Sequence, residues 1–474
     1  MQLKSAKVVP IFKSGDKHNF TNYRPISLLS SFSKLLEKIV ARQVSGFLNK
    51  HKLLYEHQYG FRKIHNTSHP IIHFLDKIYS SLNKNNPEYT LSIFIDLKKA
   101  FDTVNHDILL QKMNHYGFRG MANTWFKNYL NDRVQFVTAN GINSKPCTIN
   151  CGVPQGSVLG PLLFLIFIND LPNSVEFFTL LFADDTTFQL SSNNLNSLFA
   201  MANVELKKAA TWFQVNKLTL NVSKTKYILF RSKNMKVDFS DLKLTIGGEN
   251  IERIGSNCQT KFFKFVGHHL DEFLSWDFQI NHVHGKLASA NFAIARVKNF
   301  LPRKIRMTLY NSLFRSHMEF GILAYGGVNS SKLHKLRMTQ KKCIRNVAGK
   351  NHRSHTDPLF SALNILKFDD LFLYNCSSFM NKYFLNRLPD SFKNKFPPLA
   401  PPNRINGLLV ERYKNKFLTQ FPAYFLPRIW NGNSLENKLN ESHTSFKKSL
   451  YESFILAYPP AFKCKSQTCP DCRL

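Results

Sequence analysis

The chain has 474 residues and carries 64 Lys and Arg against 31 Asp and Glu, a formal net charge of +33. That length exceeds what one hydrophobic core usually serves, so two or more domains are expected. With 43% hydrophobic residues and only 20 Gly and 20 Pro, disordered and collagen-like compositions are excluded.

A folded, strongly basic protein attracts polyanions, nucleic acid first among them. An AT-rich coding bias would raise Lys, Asn and Phe, and Phe does reach 43, but it would raise Glu too, and acids are scarce. No apolar stretch follows a basic start at the N-terminus. The longest apolar run, residues 158–168, is shorter than the roughly 20 residues that span a bilayer. The expectation is a soluble intracellular protein, nuclear or cytoplasmic, with no membrane partner. Cys147, Cys151, Cys258, Cys343 and Cys376 are scattered through the chain and are expected as reduced thiols.

In chain order, residues 6–12 read as a strand, followed by a polar turn at Ser14, Gly15 and Asp16. A helix comes next, in which Leu28, Leu29, Phe32, Leu35, Leu36, Ile39, Val40, Val44 and Phe47 recur near the helical period, with Lys34, Glu37 and Lys38 opposite. Its apolar side is expected to be the buried one. The segment YTLSIFIDL, residues 89–97, reads as a strand with an Asp at its end, and a helical stretch begins around residues 102–107. Residues 134–139, Asn140-Gly141 and residues 142–151 form a predicted hairpin, because Asn-Gly supports the positive φ of a tight turn. A glycine-punctuated loop over 152–160 feeds an apolar helix ending near Asn169. A second hairpin has arms at 177–182 and 186–190 and a tip of Ala183, Asp184 and Asp185. A helix over 195–215, the segment LTLNVSKTKYILF and short strands around 262–270 complete a mixed α+β first half. Beyond about residue 280 helical patterns dominate. Residues 296–353 hold 14 Lys and Arg and a single acid, Glu319, which reads as a grip on a phosphate backbone. The proline cluster at 397–403 reads as a linker before a further small helical region.

Asp184 and Asp185 stand side by side between two apolar strands, and Asp96 ends a third. Adjacent carboxylates in apolar surroundings repel and lose hydration, so such a cluster implies a bound cation. Oxygen-only ligands suit Mg²⁺ or Mn²⁺. Two such ions about 4 Å apart activate a hydroxyl and stabilise a leaving pyrophosphate. Together with the charge, this points to nucleotidyl transfer.

The segments VVPIFKSGD, NYRPISLLS, HQYGFRK, FIDLKKAFDTV, GVPQGSVLGPLLFLIFINDL, FADDTTF, NKLTLNVSKTKYILF and KFVGHHLDEFLSW occur in order over roughly residues 4–350. Together they resemble the reverse transcriptase of non-LTR, LINE-type retrotransposons, nearest the jockey and CR1-like group. The resemblance implies an α+β right-hand polymerase: fingers and palm over 1–275, a helical basic thumb over 276–355 and a C-terminal region over 356–474. It implies addition of dNTPs to a DNA primer 3′-hydroxyl on an RNA template. Asp96, Asp184 and Asp185 would be the catalytic, metal-binding triad. Phe101 would be the steric gate against a ribose 2′-hydroxyl. Gln155 and Gly156 would line the incoming base and template, where Gly allows close backbone approach. Lys13 and Arg24 would reach the triphosphate from the fingers. Lys224 would lie near the leaving pyrophosphate, with Lys226 as its rival. KFVGHHLD resembles the primer grip, and His268 and His269 are read as grip or surface residues rather than metal ligands.

The departures set further expectations. Family proteins usually begin with an endonuclease domain and an extension ahead of the fingers, whereas Met1 falls almost on the first finger motif, so an N-terminally truncated copy is expected. A catalytically decayed nucleic-acid binder is one rival reading. An RNA-synthesising polymerase is another, opposed by Phe101. Cys464, Cys469 and Cys472 have the spacing C-x4-C-x2-C of part of a zinc knuckle, but no fourth ligand follows Cys472, so free thiols rather than a Zn²⁺ site are expected.

Overall fold

A computed structural model describes residues 2–458 apart from 140, 399–406, 411 and 433–440. The elements run β1 (Ser5–Phe12), β2 (Tyr23–Leu28), α1 (Ser31–Lys50), α2 (Ser68–Leu82), β3 (Tyr89–Ile95), α3 (His106–His115), α4 (Met121–Leu130) and β4 (Arg133–Ala139). They continue through β5 (Ile142–Asn143), β6 (Cys147–Ile149), α5 (Leu159–Ile168), β7 (Phe178–Phe182), β8 (Asp185–Ser192), α6 (Leu195–Val215) and β9 (Lys226–Phe230). Short strands follow: β10 (Thr245–Ile246), β11 (Glu249–Asn250), β12 (Glu252–Arg253), β13 (Phe263–Phe265) and β14 (His268–Leu270). The remainder is helical, led by α7 (Asp277–Val297), with long helices at Ser330–Ala348, Phe368–Phe384 and His443–Leu456. The fold class is α+β, as expected. No helix among the described residues is long and apolar enough to cross a membrane.

Two compact units emerge: Met1–His65, Leu91–Ile228 and Lys236–Arg253 form the first, and Asn66–Thr90, Leu229–Met235 and Ile254–Leu474 the second. In the first, β1 pairs antiparallel with β2 and parallel with β4, which carries the 142–149 hairpin arms. A second sheet has the order β12-β9-β3-β8-β7, with β3 central. Its strands are filled by Leu91, Ile93, Phe94, Leu180, Leu181 and Phe188, all nearly inaccessible, and Gln189 Nε2 donates to Ser92 Oγ at 3.0 Å within the sheet. Helix α5 is apolar on every side because it is buried on almost every side, which is why its run is a core helix.

Helix α1 forms where its period places it, and Val44 of the expected stripe is buried, but its first half packs on the other face. Phe32, Leu35, Leu36 and Ile39 are exposed, while Glu37 is 1% exposed. The reason is electrostatic. Glu37 Oε2 accepts from the Val158 and Leu159 N–H groups at 2.6 and 3.4 Å, and Oε1 accepts from the Tyr129 hydroxyl at 2.9 Å. At the start of α5 the local Ser157 hydroxyl accepts only the Gly160 N–H, at 2.9 Å, and a buried carboxylate supplies the acceptor for the two N–H groups before it, against the positive end of the helix. That requirement outweighs the exposure of one apolar stripe.

In the second unit, α7 packs lengthwise on the helix Ser330–Ala348, with Leu287, Ile294, Leu336 and Ile344 buried. Arg231 and Glu272 form a buried ion pair at 2.7 Å. His268, read from sequence as a grip or surface residue, is fully buried. Its ring stacks on Phe320 with 5.2 Å between centroids, and burial lowers its pKa to about 4. Five thiols, Cys147, Cys151, Cys258, Cys343 and Cys376, are free. Cys464, Cys469 and Cys472 lie outside the described residues.

Candidate active site

Three carboxylates meet at one end of the central sheet. Asp96 follows the last residue of β3, and β8, the neighbour of β3, begins at Asp185. Phe182 pairs with Asp185, so the β7–β8 tip is the two residues Ala183 and Asp184, one shorter than the sequence reading. Ala183 carries the turn's positive φ of 58°, a conformation an L-residue adopts only when its surroundings enforce it.

The enforcing segment is HQYG. Leu181 N–H donates to the His57 carbonyl at 3.0 Å, and Tyr59 N–H returns a bond to the Leu181 carbonyl at 2.8 Å. Gln58 Oε1 then accepts from both Ala183 N–H, at 3.1 Å, and Gly60 N–H, at 2.9 Å. Gly60 lies so close that a Cβ there would stand 2.3 Å from the Ala183 nitrogen. Sequence reasoning assigned no role to Gln58 or Gly60. The signal was present in the HQYGFRK motif, but its partner lies more than a hundred residues away.

Asp96 is held from another direction. Asn221 Nδ2 donates to its Oδ2 at 2.7 Å, Asn221 N–H donates to its carbonyl at 2.9 Å, and its own N–H donates to Thr225 Oγ1 at 3.2 Å. The turn that follows holds Lys224, exposed. The rival cation Lys226 is engaged, donating to the Ser223 carbonyl and pairing with Glu252, both at 2.5 Å.

The carboxylates sense one another. Asp184 and Asp185 reach the surface, yet the protein around them strips away much of their water. Desolvation, then repulsion from Asp184 and Asp96, pushes Asp185 up to about 6, against the pull of Lys13. Asp184 is raised too, chiefly by desolvation and with Asp96 adding to it, while Lys13 and Arg24 oppose the rise. The positive charges of Lys13 and Arg24, from the β1–β2 hairpin, are thus felt at the acidic tip. Lys13 N–H is fixed to the Asn22 carbonyl at 2.8 Å, and Arg24 is in register with Ile11.

The remaining predicted residues form a stitched loop. Gly156, at φ 115°, lies against β2, where a Cβ would meet the Ser27 carbonyl at 2.6 Å, and Ser27 N–H donates to the Gln155 carbonyl at 2.6 Å. Gln155 Nε2 donates to Asp102 Oδ1 at 2.8 Å, so the amide is oriented by a carboxylate that sequence reasoning left without a role. Burial raises the Asp102 pKa, although the Gln155 bond works against it. Phe101 packs on Phe164, centroids 4.7 Å apart, and is half-buried.

All-oxygen donors of this kind fit a hard dication such as Mg²⁺, and carboxyls whose ionisation is resisted by one another are what a dication relieves. They stand as an open cluster: among the described residues no group of three or more His, Cys, Asp or Glu is gathered tightly enough to enclose an ion.

An α+β fold that sets carboxylates on a hairpin tip beneath two cations fits the proteins of nucleotidyl transfer as a class. Residues 13–270 match the family described as reverse transcriptase (RNA-dependent DNA polymerase), and the chain belongs to that family. It is similar to the RNA-directed DNA polymerase from mobile element jockey of Drosophila melanogaster, 26% identical over 422 residues, 86% of this chain and 44% of that protein. The probable RNA-directed DNA polymerase from transposon BS of the same organism is 29% identical over 365 residues, 73% of this chain and 38% of that protein. The chain thus spans less than half the length of either relative. Among solved structures, apo telomerase from Candida tropicalis is similar at 12% identity and a TM-score of 0.42, covering 78% of this chain and 63% of that one.

Proposed function

We propose that this chain is the polymerase part of a non-LTR retrotransposon: an RNA-directed DNA polymerase that adds dNTPs to a primer 3′-hydroxyl on an RNA template. The observation that carries the reading is the convergence of Asp96, Asp184 and Asp185 under Lys13 and Arg24, inside a chain of the reverse transcriptase family. Fingers and palm are assigned to residues 1–275, a basic thumb to 276–355 and an accessory region to 356–474.

Asp96, Asp184 and Asp185 would hold Mg²⁺, with Mn²⁺ as a substitute. When bound, the metal supplies Lewis-acid activation of the attacking hydroxyl and neutralises charge on the phosphates. The protein's own residues do the rest. Asn221 and Thr225 hold Asp96, and Gln58 holds the turn that presents Asp184. Lys13 and Arg24 bind and orient the triphosphate, and Lys224 offsets charge on the departing pyrophosphate. Asp102 holds Gln155 through its Nε2, which leaves Oε1 as the acceptor offered to the nucleotide. Phe101 excludes a 2′-hydroxyl by its volume.

The test is primer extension on an RNA template with Mg²⁺, comparing wild type, Asp184→Ala and Phe101→Ala with dNTPs or rNTPs. Wild type extends with dNTPs alone, Asp184→Ala does not extend, and Phe101→Ala accepts rNTPs. A folded wild type that binds RNA but never extends would replace the polymerase with a decayed binder.

A further inference from the structure

In the first unit the loop that carries Gln155 is sewn to the turn that carries Phe101, and one stitch is a side chain assigned no role above. His106 is the first residue of α3 and is 7% exposed. Asn105 fixes that end of the helix by accepting from the Ile108 N–H at 3.0 Å. The His106 ring places Nε2 at 2.8 Å from the Gly152 carbonyl. A carbonyl only accepts, so Nε2 is the nitrogen that carries the proton and donates.

The Gly152 carbonyl and the Val153 N–H are the two ends of one planar peptide group. Its N–H end donates to the Phe101 carbonyl at 2.8 Å, and the preceding Gly152 N–H donates to the Val104 carbonyl at 2.7 Å. Turning the peptide plane therefore breaks the bond to Phe101 and the bond to His106 together. Gly152 is where such a turn is easiest, because a residue without a Cβ has both signs of φ open to it, and it stands at φ 85° with an added Cβ only 2.6 Å from the Asp102 carbonyl oxygen. Gly152 and Val153 are both buried, so a turned peptide leaves its polar ends unpaired away from water. His106 thus holds one end of the peptide group whose other end anchors the proposed gate.

The gate depends on that anchor. The Phe101 ring is half-buried and packs on Phe164, while its own carbonyl is tied to the loop. What it would exclude is a single oxygen, so a change of about one ångström in the gap between turn and loop decides whether that oxygen fits.

We propose that His106 is a positioning residue for sugar selection: by holding the Gly152–Val153 peptide it fixes the gap between Phe101 and the Gln155 loop, and with it the room at the 2′ position of an incoming nucleotide. The inference rests on the polymerase reading above, with Phe101 as its gate. The test is single-nucleotide incorporation on an RNA template, with kcat/KM measured for a dNTP and for the matching rNTP. His106→Phe keeps a ring and removes the donor. It should raise the rNTP-to-dNTP ratio about tenfold while dNTP incorporation stays within about threefold of wild type. His106→Gln returns an N–H donor at similar reach and should restore the wild-type ratio. His106→Asn, whose amide is one carbon shorter, should behave as His106→Phe does and takes its place if the Phe chain fails to fold. In a Phe101→Ala background His106→Phe should add nothing, because His106 acts through the gate. A merely structural role slows both sugars together and leaves the ratio unchanged, which overturns the inference, as does a His106→Gln enzyme that selects no better than His106→Phe. If wild type extends but Phe101→Ala still rejects rNTPs, the gate assignment falls and this inference with it. A folded wild type that never extends overturns both along with the polymerase reading.

Discussion

Replacing Gly60 by Ala should disable the proposed polymerase through the backbone of the turn that presents Asp184. The added Cβ would stand 2.3 Å from the Ala183 nitrogen and 2.9 Å from its Cα, where ordinary contact begins at 3.4 Å, so one backbone must retreat by about an ångström. Neither side yields easily. Ala183 already holds a positive φ, and its N–H is tied to Gln58. Overpacking of this kind costs about 1–3 kcal/mol of stability. A displacement near 1 Å at a reacting centre costs about 10²-fold in rate. Single-turnover incorporation of one dNTP at saturating concentration reads the rate, and thermal denaturation reads the stability. Gly46→Ala is the matched control, because Gly46 has no atom within 4 Å of its added Cβ. A Gly60→Ala enzyme that incorporates within twofold of wild type refutes the argument that the HQYG segment sets the carboxylate turn.

Other outcomes follow from the same geometry. Asn221→Ala removes the 2.7 Å bond to Asp96 and should lower kcat about tenfold with little change in the dNTP KM. A rise in KM at constant kcat would instead make Asn221 a binding residue. Asp185 titrates in the folded chain at about 6, above its ordinary 3.8, so between those values the folded state holds a proton that the unfolded state has lost. Stability therefore falls as pH rises through that window. Asp185→Asn should raise the melting temperature at pH 8, with the gain shrinking toward pH 4. A gain that grows on acidification contradicts the desolvated, crowded carboxyl. Glu37→Ala strands the Val158 and Leu159 N–H groups and the Tyr129 hydroxyl, and should cost about 2–3 kcal/mol in urea denaturation. A loss below half a kilocalorie would mean that water replaces the cap.

The candidate site residues stand out along the chain because they sit where local patterns break. Asp184 and Asp185 interrupt an apolar hairpin, Asp96 ends an apolar strand, and the glycines around Gln155 mark a loop. The helices and strands were legible for the same reason, since period 3.6 and period 2 are properties of neighbours. Which face of a helix goes inside was not. Phe32, Leu35, Leu36 and Ile39 belong to the stripe that periodicity assigns to the core, yet in that half of the helix Glu37 is buried instead, because the N–H groups it satisfies lie at the start of α5, from 121 positions further on. His268 was likewise placed by Phe320 and Gly321, fifty residues away. The supporting residues Gln58, Gly60, Asp102 and Asn221 acquire meaning only beside Ala183, Gln155 and Asp96. Local sequence encodes periodicity and reactive groups, since both depend on adjacent residues. Which donor meets which acceptor, and hence which polar group is buried, depends on partners brought together by folding alone.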